Sequence, residues 1–153
     1  MYHVVHIVVV SAVSAAPPAV VHELLADGPG WPAWSPIERV RVLRPGGADG
    51  VGAIWELVSG RVVGNDEITG SEPGRSFRYH HLRGLPVRDY HGVVSLAPSG
   101  GGTAIEWRAT FRPRVPGTGP LLRLAVRRLL RGCADGLARH AARTSHGGPV
   151  SGV

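Results

Sequence analysis

Three side chains of this sequence have both the chemistry and the spacing to move protons within one site. Tyr79 and His81 are separated by one residue in the strand-like segment 75–83, and Tyr90 follows the short turn 84–87. Alternate residues of a β-strand share a face, so Tyr79 and His81 face the same way, and the turn brings Tyr90 near His81. A histidine beside a tyrosine in an apolar cavity can act as a general acid or base. The alternative is a hydrogen-bonded core histidine next to a tyrosine at the rim.

The remaining groups that could do chemistry are less well placed. His80 and His91 are predicted to face outward, where they could meet across two strands. Two imidazoles without a third ligand nearby do not make a metal site, so no metal is predicted. The chain has no Gly-x-Ser-x-Gly nucleophile elbow, P-loop or GxGxxG fingerprint, and the glycines at 100–102 belong to a hairpin turn.

Alternation does not decide which face of the segment 61–69 points inward. Either Asn65 and Glu67 or Asp66 and Ile68 point to the interior. Ile68 is the better core residue, so we favour the second choice. Asp66 is then a polar group on the inner face.

The last two strands, predicted at 88–97 and 103–112, define the wall behind these groups. Their apolar residues alternate with polar ones, and the turn between them sets the register of the pairs. A gap in the wall is expected where Gly92 lies opposite Ala109, and either a ligand or a bulky residue of the C-terminal helix would fill it. The predicted opposite pairs are Val94 with Trp107, Leu96 with Ile105, Gly92 with Ala109, Tyr90 with Phe111 and, on the outer face, Asp89 with Arg112.

The order of elements predicts an α+β fold. A strand over 3–14 is followed by a helix that opens at Pro17-Pro18 and ends at Gly28, and by a second short helix or turn over 31–36. Six strands come next, and an amphipathic helix over 121–143 closes the chain. This pattern gives a bent antiparallel sheet of about seven strands around one long helix. The middle strands lack crossover helices, which excludes a βαβ nucleotide-binding fold.

Further residues are expected to line the interior. Trp34 is placed at the cavity mouth, while Trp55 and Phe77 face inward from their strands. The apolar stripe of the long helix brings Leu129 and Cys133 to the same space. Gly132 and Gly136 within that helix indicate a close approach to the sheet, a bend or a break. The predicted ligand-binding set is therefore Trp34, Trp55, Phe77, Gly92, Val94, Trp107, Ala109, Phe111, Leu129 and Cys133.

Composition bounds the class of protein. The 153 residues, 43% of them apolar, suffice for one domain, predicted over 1–144 and followed by a flexible tail over 145–153. All 17 basic residues are Arg, but they are dispersed, so the net charge of +6 does not predict nucleic-acid binding. The single Cys133 excludes an intrachain disulfide and favours the cytoplasm. The apolar segment 3–13 is too short to span a bilayer, and we expect no integral membrane association. We expect a monomer or homodimer.

Five segments of the sequence form a recognisable set. They are Ser14-Ala-Ala-Pro-Pro-Ala-Val, Trp31-Pro-Ala-Trp-Ser-Pro, Glu67-Ile with Glu72-Pro-Gly-Arg, Leu85-Pro-Val-Arg-Asp-Tyr-His-Gly and Gly102-Thr-Ala-Ile-Glu-Trp. Together they resemble the START-like (SRPBCC) superfamily in its polyketide cyclase/dehydrase branch, over roughly residues 3–143. The resemblance implies the helix-grip fold and a cavity for hydrophobic molecules, and some members are cofactor-free cyclases. Many relatives have Arg where this chain has Trp55, which makes the cavity here more apolar; Arg61 and Arg83 are the candidates for the family's catalytic arginine.

The leading hypothesis is a cofactor-independent cyclase or dehydratase, of the lyase or isomerase type, acting on a small hydrophobic or aromatic compound of secondary metabolism. His81, Tyr79 and Tyr90 are its candidate catalytic residues. The alternative is a non-catalytic carrier or sensor that uses the same cavity. A third hypothesis is an interaction protein whose basic C-terminal helix docks a partner.

Overall fold

Seven strands and a long C-terminal helix dominate the computed structural model, which describes residues 4–146. The α+β helix-grip architecture is as predicted, with two short helices after the first strand. In chain order the elements are β1 (His6–Ser14), α1 (Pro18–Ala26), a 3₁₀ helix (Gly28–Ala33), β2 (Arg39–Arg44), β3 (Ile54–Ser59), β4 (Val62–Glu72), β5 (Ser76–Arg83), β6 (Val87–Ser99), β7 (Gly102–Pro113) and α2 (Gly119–His146).

The seven strands form one antiparallel sheet in the order β1-β7-β6-β5-β4-β3-β2. The chain meanders from β2 to β7, and β1 pairs with β7 to form the edge strand on that side of the sheet. The two short helices fill the connection between β1 and β2, which lie at opposite edges of the sheet. A long connection is needed here because the chain crosses from one edge of the sheet to the other. The remaining strands are sequential neighbours, so short hairpin turns connect them.

The predicted register between β6 and β7 is correct in its central part and wrong at one end. Val94 pairs with Trp107, and Gly92 pairs with Ala109. A β-bulge then follows, since Arg88 rather than Asp89 lies opposite Arg112. The extra residue shifts the alternation by one position.

The bulge centres on Asp89, whose backbone φ of 51° lies in the left-handed region. Its carboxylate still reaches Arg112, at 3.8 Å, so the predicted opposite-charge pair forms without the predicted register. Both Val87 and Tyr90 are buried as a result, which strict alternation would not allow. Tyr90 also stacks on Phe111, with ring centroids 5.8 Å apart.

Helix α2 packs mainly on β1 and β7. The apolar stripe predicted for this helix consists of Leu122, Ala125, Leu129, Cys133, Leu137 and Ala141. Its second half, from Cys133 on, is buried, but in the first half of the helix Val126 and Leu130 are the buried residues instead. No helix within residues 4–146 is long and apolar enough to span a membrane. The helix extends to His146, and the remainder of the predicted tail, 147–153, lies outside the described residues, as do residues 1–3, which include the first residue of the predicted first strand.

The two glycines in the interior of α2, Gly132 and Gly136, serve a close approach, but to a different partner from the one expected. A Cβ added at Gly136 would overlap the backbone oxygen of Trp34, and one added at Gly132 would lie 2.7 Å from the Pro36 ring. The helix is continuous through both positions. The segment after the 3₁₀ helix, rather than the sheet, therefore requires these glycines.

Gly136→Ala is expected to destabilise the protein by roughly 1–3 kcal/mol because the new methyl group overlaps a backbone carbonyl. The same change in an ordinary helix interior stabilises by about 1 kcal/mol, so the sign of the effect is diagnostic. Urea denaturation followed by circular dichroism measures the free energy of unfolding. Gly132→Ala is the matched control and should lose less, since it meets only a side chain. A Gly136→Ala variant as stable as the wild type would contradict the close approach.

Candidate functional site

A cavity of about 340 Å³ lies between the inner face of β3–β6 and the first half of α2. This volume is in the range of small-molecule sites. Its walls are largely apolar and aromatic. The lining residues are Trp31, Ile37, Leu57, Ser59, Val62, Gly64, Asp66, Tyr79, His81, Leu85, Tyr90, Trp107, Ala125, Leu129, Leu130 and Cys133.

The three predicted catalytic residues come together in this cavity. Tyr79, His81 and Tyr90 all line it, because their strands β5 and β6 pair with His81 opposite Tyr90. The rings of His81 and Tyr90 lie with centroids 5.7 Å apart. The predicted ligand-binding residues Trp107, Leu129 and Cys133 line the cavity as well.

The other seven predicted ligand-binding residues lie in the core and do not line the cavity. Trp34 is not at the mouth: it is buried beside Trp31, with ring centroids 4.8 Å apart. Trp55 is buried and stacks on Phe77 at 5.8 Å. Core packing accounts for all seven positions, which are Trp34, Trp55, Phe77, Gly92, Val94, Ala109 and Phe111.

The expected gap at Gly92 and Ala109 is closed. A Cβ at Gly92 would overlap the phenol ring of Tyr79, which lies directly across the strands from Gly92. The filler is thus a side chain of the neighbouring strand, neither a ligand nor a residue of the C-terminal helix. Gly92 matters because it lets Tyr79 lie flat over the sheet.

Asp66 adds a polar partner that the list of candidate catalytic residues lacked. It faces inward, as predicted by the alternation favoured for the segment 61–69, and Ile68 is in the core. Its Oδ1 lies 2.6 Å from Nδ1 of His81. The backbone N–H of Leu85 donates to Nε2 of His81 at 3.1 Å. Because Nε2 accepts, the proton of the neutral ring is on Nδ1, which donates to Asp66.

The two tyrosines are held as neutral hydroxyl groups. The indole N–H of Trp107 donates to the hydroxyl oxygen of Tyr79 at 2.9 Å. Burial raises the pKa of Tyr79 and of Tyr90 well above the usual tyrosine value, since an apolar interior disfavours a phenolate. At neutral pH both can donate a hydrogen bond, and neither is a base.

The residues that sequence reasoning missed come mostly from places without strand alternation. Trp31 lies in the 3₁₀ helix, Ile37 in a connection and Leu85 in the β5–β6 turn. No local pattern indicates which way such residues point. Ser59 is the last residue of β3 and Val62 is the first residue of β4, and both line the cavity.

The other candidates for chemistry remain apart from the cavity. His80 and His91 stack across the strands with centroids 4.4 Å apart, as their outward positions predicted. Within residues 4–146 no three His, Cys, Asp or Glu side chains are grouped to hold a metal ion. Arg61 and Arg83 are exposed and do not line the cavity.

A second depression, of about 550 Å³, lies between the start of β6, the end of β7 and the start of α2. Arg88, Arg112 and Arg114 line it together with turn residues. None of the predicted site residues is found there, so the first cavity is the candidate site.

The cavity thiol gives a test of how closed this site is. Burial raises the pKa of Cys133 to about 12. Only the thiolate reacts, so at pH 8 we expect alkylation by iodoacetamide to be about a thousandfold slower in the folded protein than in urea. Mass spectrometry gives both rates, and every adduct reports on Cys133 because the chain has one cysteine. Equal rates would show that the thiol is open to solvent.

Comparison with known proteins gives the family. Residues 5–142 match the family described as polyketide cyclase / dehydrase and lipid transport. No curated protein matches the chain significantly in sequence.

Solved structures agree on the fold. The Zhui aromatase/cyclase from Streptomyces sp. R1128 is 20% identical with a TM-score of 0.76, over 98% of this chain and 100% of that one. A START superfamily protein from Mycobacterium smegmatis is 17% identical with a TM-score of 0.78, over 90% and 98%. Norcoclaurine synthase from Thalictrum flavum, in complex with dopamine and hydroxybenzaldehyde, is 15% identical with a TM-score of 0.72, over 92% and 88%. The chain belongs to the polyketide cyclase / dehydrase and lipid transport family, which it matches over residues 5–142.

Proposed function

We propose that this protein holds a small aromatic or hydrophobic molecule in its cavity and promotes a cofactor-free cyclisation or dehydration there. The observation that carries the proposal is the Asp66–His81 pair at the wall of an otherwise apolar cavity. Perturbed or paired ionisable groups in a cleft are the usual mark of proton-transfer chemistry. Membership of a family that includes cyclases and dehydrases supports the same reaction class. The buried, unpaired Cys133 is consistent with work in the reducing cytoplasm.

The division of roles follows from the hydrogen bonds. His81 cannot accept a proton at Nε2, because the Leu85 N–H already occupies that lone pair. Asp66 uses one oxygen for His81 and has the other available, so the carboxylate is the proton acceptor and His81 orients it. Tyr90, held neutral by burial, donates a hydrogen bond to the oxygen on which negative charge develops. Tyr79 is engaged by Trp107 and positions the ligand.

A dehydration proceeds as follows in this arrangement. The Asp66 carboxylate takes a proton from the carbon next to a substrate carbonyl, and the carbonyl oxygen gains charge beside Tyr90. A carbon–carbon double bond then forms as the β-hydroxyl group leaves. The carboxylic acid of Asp66 returns its proton to that hydroxyl, so water departs and Asp66 is ionised again. The largely apolar wall of the cavity limits the water around the charged intermediate.

The alternative function is a carrier of a hydrophobic molecule, and one observation favours it. Both nitrogens of His81 are already occupied within the protein, and the hydroxyl of Tyr79 is bonded to Trp107. Side chains whose hydrogen bonds are already made within the protein can form a passive binding surface as well as a catalytic one. The family description also includes lipid transport.

Asp66→Asn is expected to lower catalysis by about a hundredfold or more, since it removes the proton acceptor and keeps the shape. The dehydration of 4-hydroxy-4-phenylbutan-2-one provides a direct readout, because the conjugated product absorbs in the ultraviolet. His81→Gln should lose less, because it disturbs only the orientation of the carboxylate. Native mass spectrometry of the gently purified protein would identify a co-purifying compound for the same assay.

The chain offers a matched control for each change. Glu67 and His80 are the outward-facing neighbours on the same strands, and Glu67 pairs with Arg44 at 3.6 Å. Glu67→Gln and His80→Gln should leave the rate unchanged. If the compound binds the wild type but Asp66→Asn is as fast as the controls, the pair is not catalytic and the carrier function stands.

A further inference from the structure

The charge inventory of the cavity points to the kind of ligand it selects. Among the described residues that line the cavity, Asp66 is the only one with a full formal charge when His81 is in the neutral state given above. The chain has no Lys, and none of its arginines within residues 4–146 lines the cavity. Arg83, the nearest arginine along β5, is exposed and lies against the amide of Asn65. The site is therefore negative and contains no cation to receive an anionic ligand.

The carboxylate of Asp66 lacks a second donor. Within the described residues its one side-chain hydrogen bond is to Nδ1 of His81, through Oδ1. Its side chain is only 14% exposed and faces the cavity. A carboxylate removed from water needs donors or an opposite charge to balance the lost hydration. A donor on the ligand can supply what the protein does not.

The walls favour the same ligand chemistry. Trp31, Trp107, Tyr79 and Tyr90 present aromatic rings to the cavity. Aromatic faces carry negative electrostatic potential and attract cations, most strongly where water is excluded. The hydroxyl groups of both tyrosines stay neutral, so they neither add to nor offset the negative charge of Asp66. The cavity volume of about 340 Å³ suits one or two rings.

We propose that the cavity selects aromatic molecules that carry a protonated amine, with the ammonium group on the free oxygen of Asp66, and that it rejects aromatic carboxylates. This inference rests on the proposed function only in that the cavity must be the ligand site. It makes the charge of Asp66 a specificity determinant as well as a means of moving protons.

Three naphthalene probes of nearly the same shape test this selectivity: naphthalen-2-ylmethylamine, naphthalen-2-ylmethanol and naphthalene-2-carboxylate. Isothermal titration calorimetry at neutral pH measures their affinities for the whole protein. We expect the ammonium probe to bind at least tenfold more tightly than the alcohol, and the carboxylate at least tenfold more weakly. In Asp66→Asn the advantage of the ammonium probe should disappear while the alcohol still binds. In the control Glu67→Gln the order of the three affinities should not change.

The outcomes separate the selectivity from the proposed function. If the alcohol binds but the carboxylate binds as tightly as the ammonium probe, or more tightly, the charge inference is wrong and the ligand site stands. If Asp66→Asn keeps the full ammonium preference, Asp66 is not the selecting group. The ranking in the wild type decides the question even if Asp66→Asn fails to fold. If no probe binds the wild type, the cavity is not an aromatic ligand site, and both proposals fail.

Discussion

One helix cannot cover a sheet of seven strands, and the interior of this protein follows from that mismatch. Strands lie about 4.8 Å apart, so the sheet is roughly 29 Å wide, whereas a helix with its side chains is about 10 Å across. Helix α2 is committed to β1 and β7 at one edge. The sheet has to bend to bury the rest of its inner face. Trp31 of the 3₁₀ helix and Trp34 just after it fill part of the space, and the remainder is the cavity.

Local breaks in strand alternation decide which side chains look into that cavity. The bulge at Asp89 lets both Val87 and Tyr90 face the interior. The pairing of β4 and β5 is also irregular, near Asn65 and Gly70, but Asp66 and His81 keep the alternation of their own strands. Bulges bend a strand and change the direction of its side chains, so curvature and site arise from the same residues.

The polar groups of the site differ in how deeply they are buried. Tyr79 and Tyr90 are buried almost completely and remain neutral, since loss of hydration disfavours the phenolate. Asp66 and His81 keep contact with the cavity and share a hydrogen bond of 2.6 Å. The Leu85 N–H fixes the histidine ring from the opposite side, which holds the carboxylate in one orientation. A turn residue thus sets the geometry of a pair on two strands.

The sequence by itself determined the fold and the central register of the sheet, because period-2 alternation and hairpin turns are local signals. Tyr79, His81 and Tyr90 were placed together on that basis, and Asp66 was turned inward by the burial of Ile68. Only the tertiary structure decided what fills the interior. The side chain of Tyr79 fills the space at Gly92. Trp34 and Trp55 are core residues, whereas Trp31 and Leu85 line the cavity. These outcomes depend on packing between elements distant in sequence, which alternation within one strand does not encode.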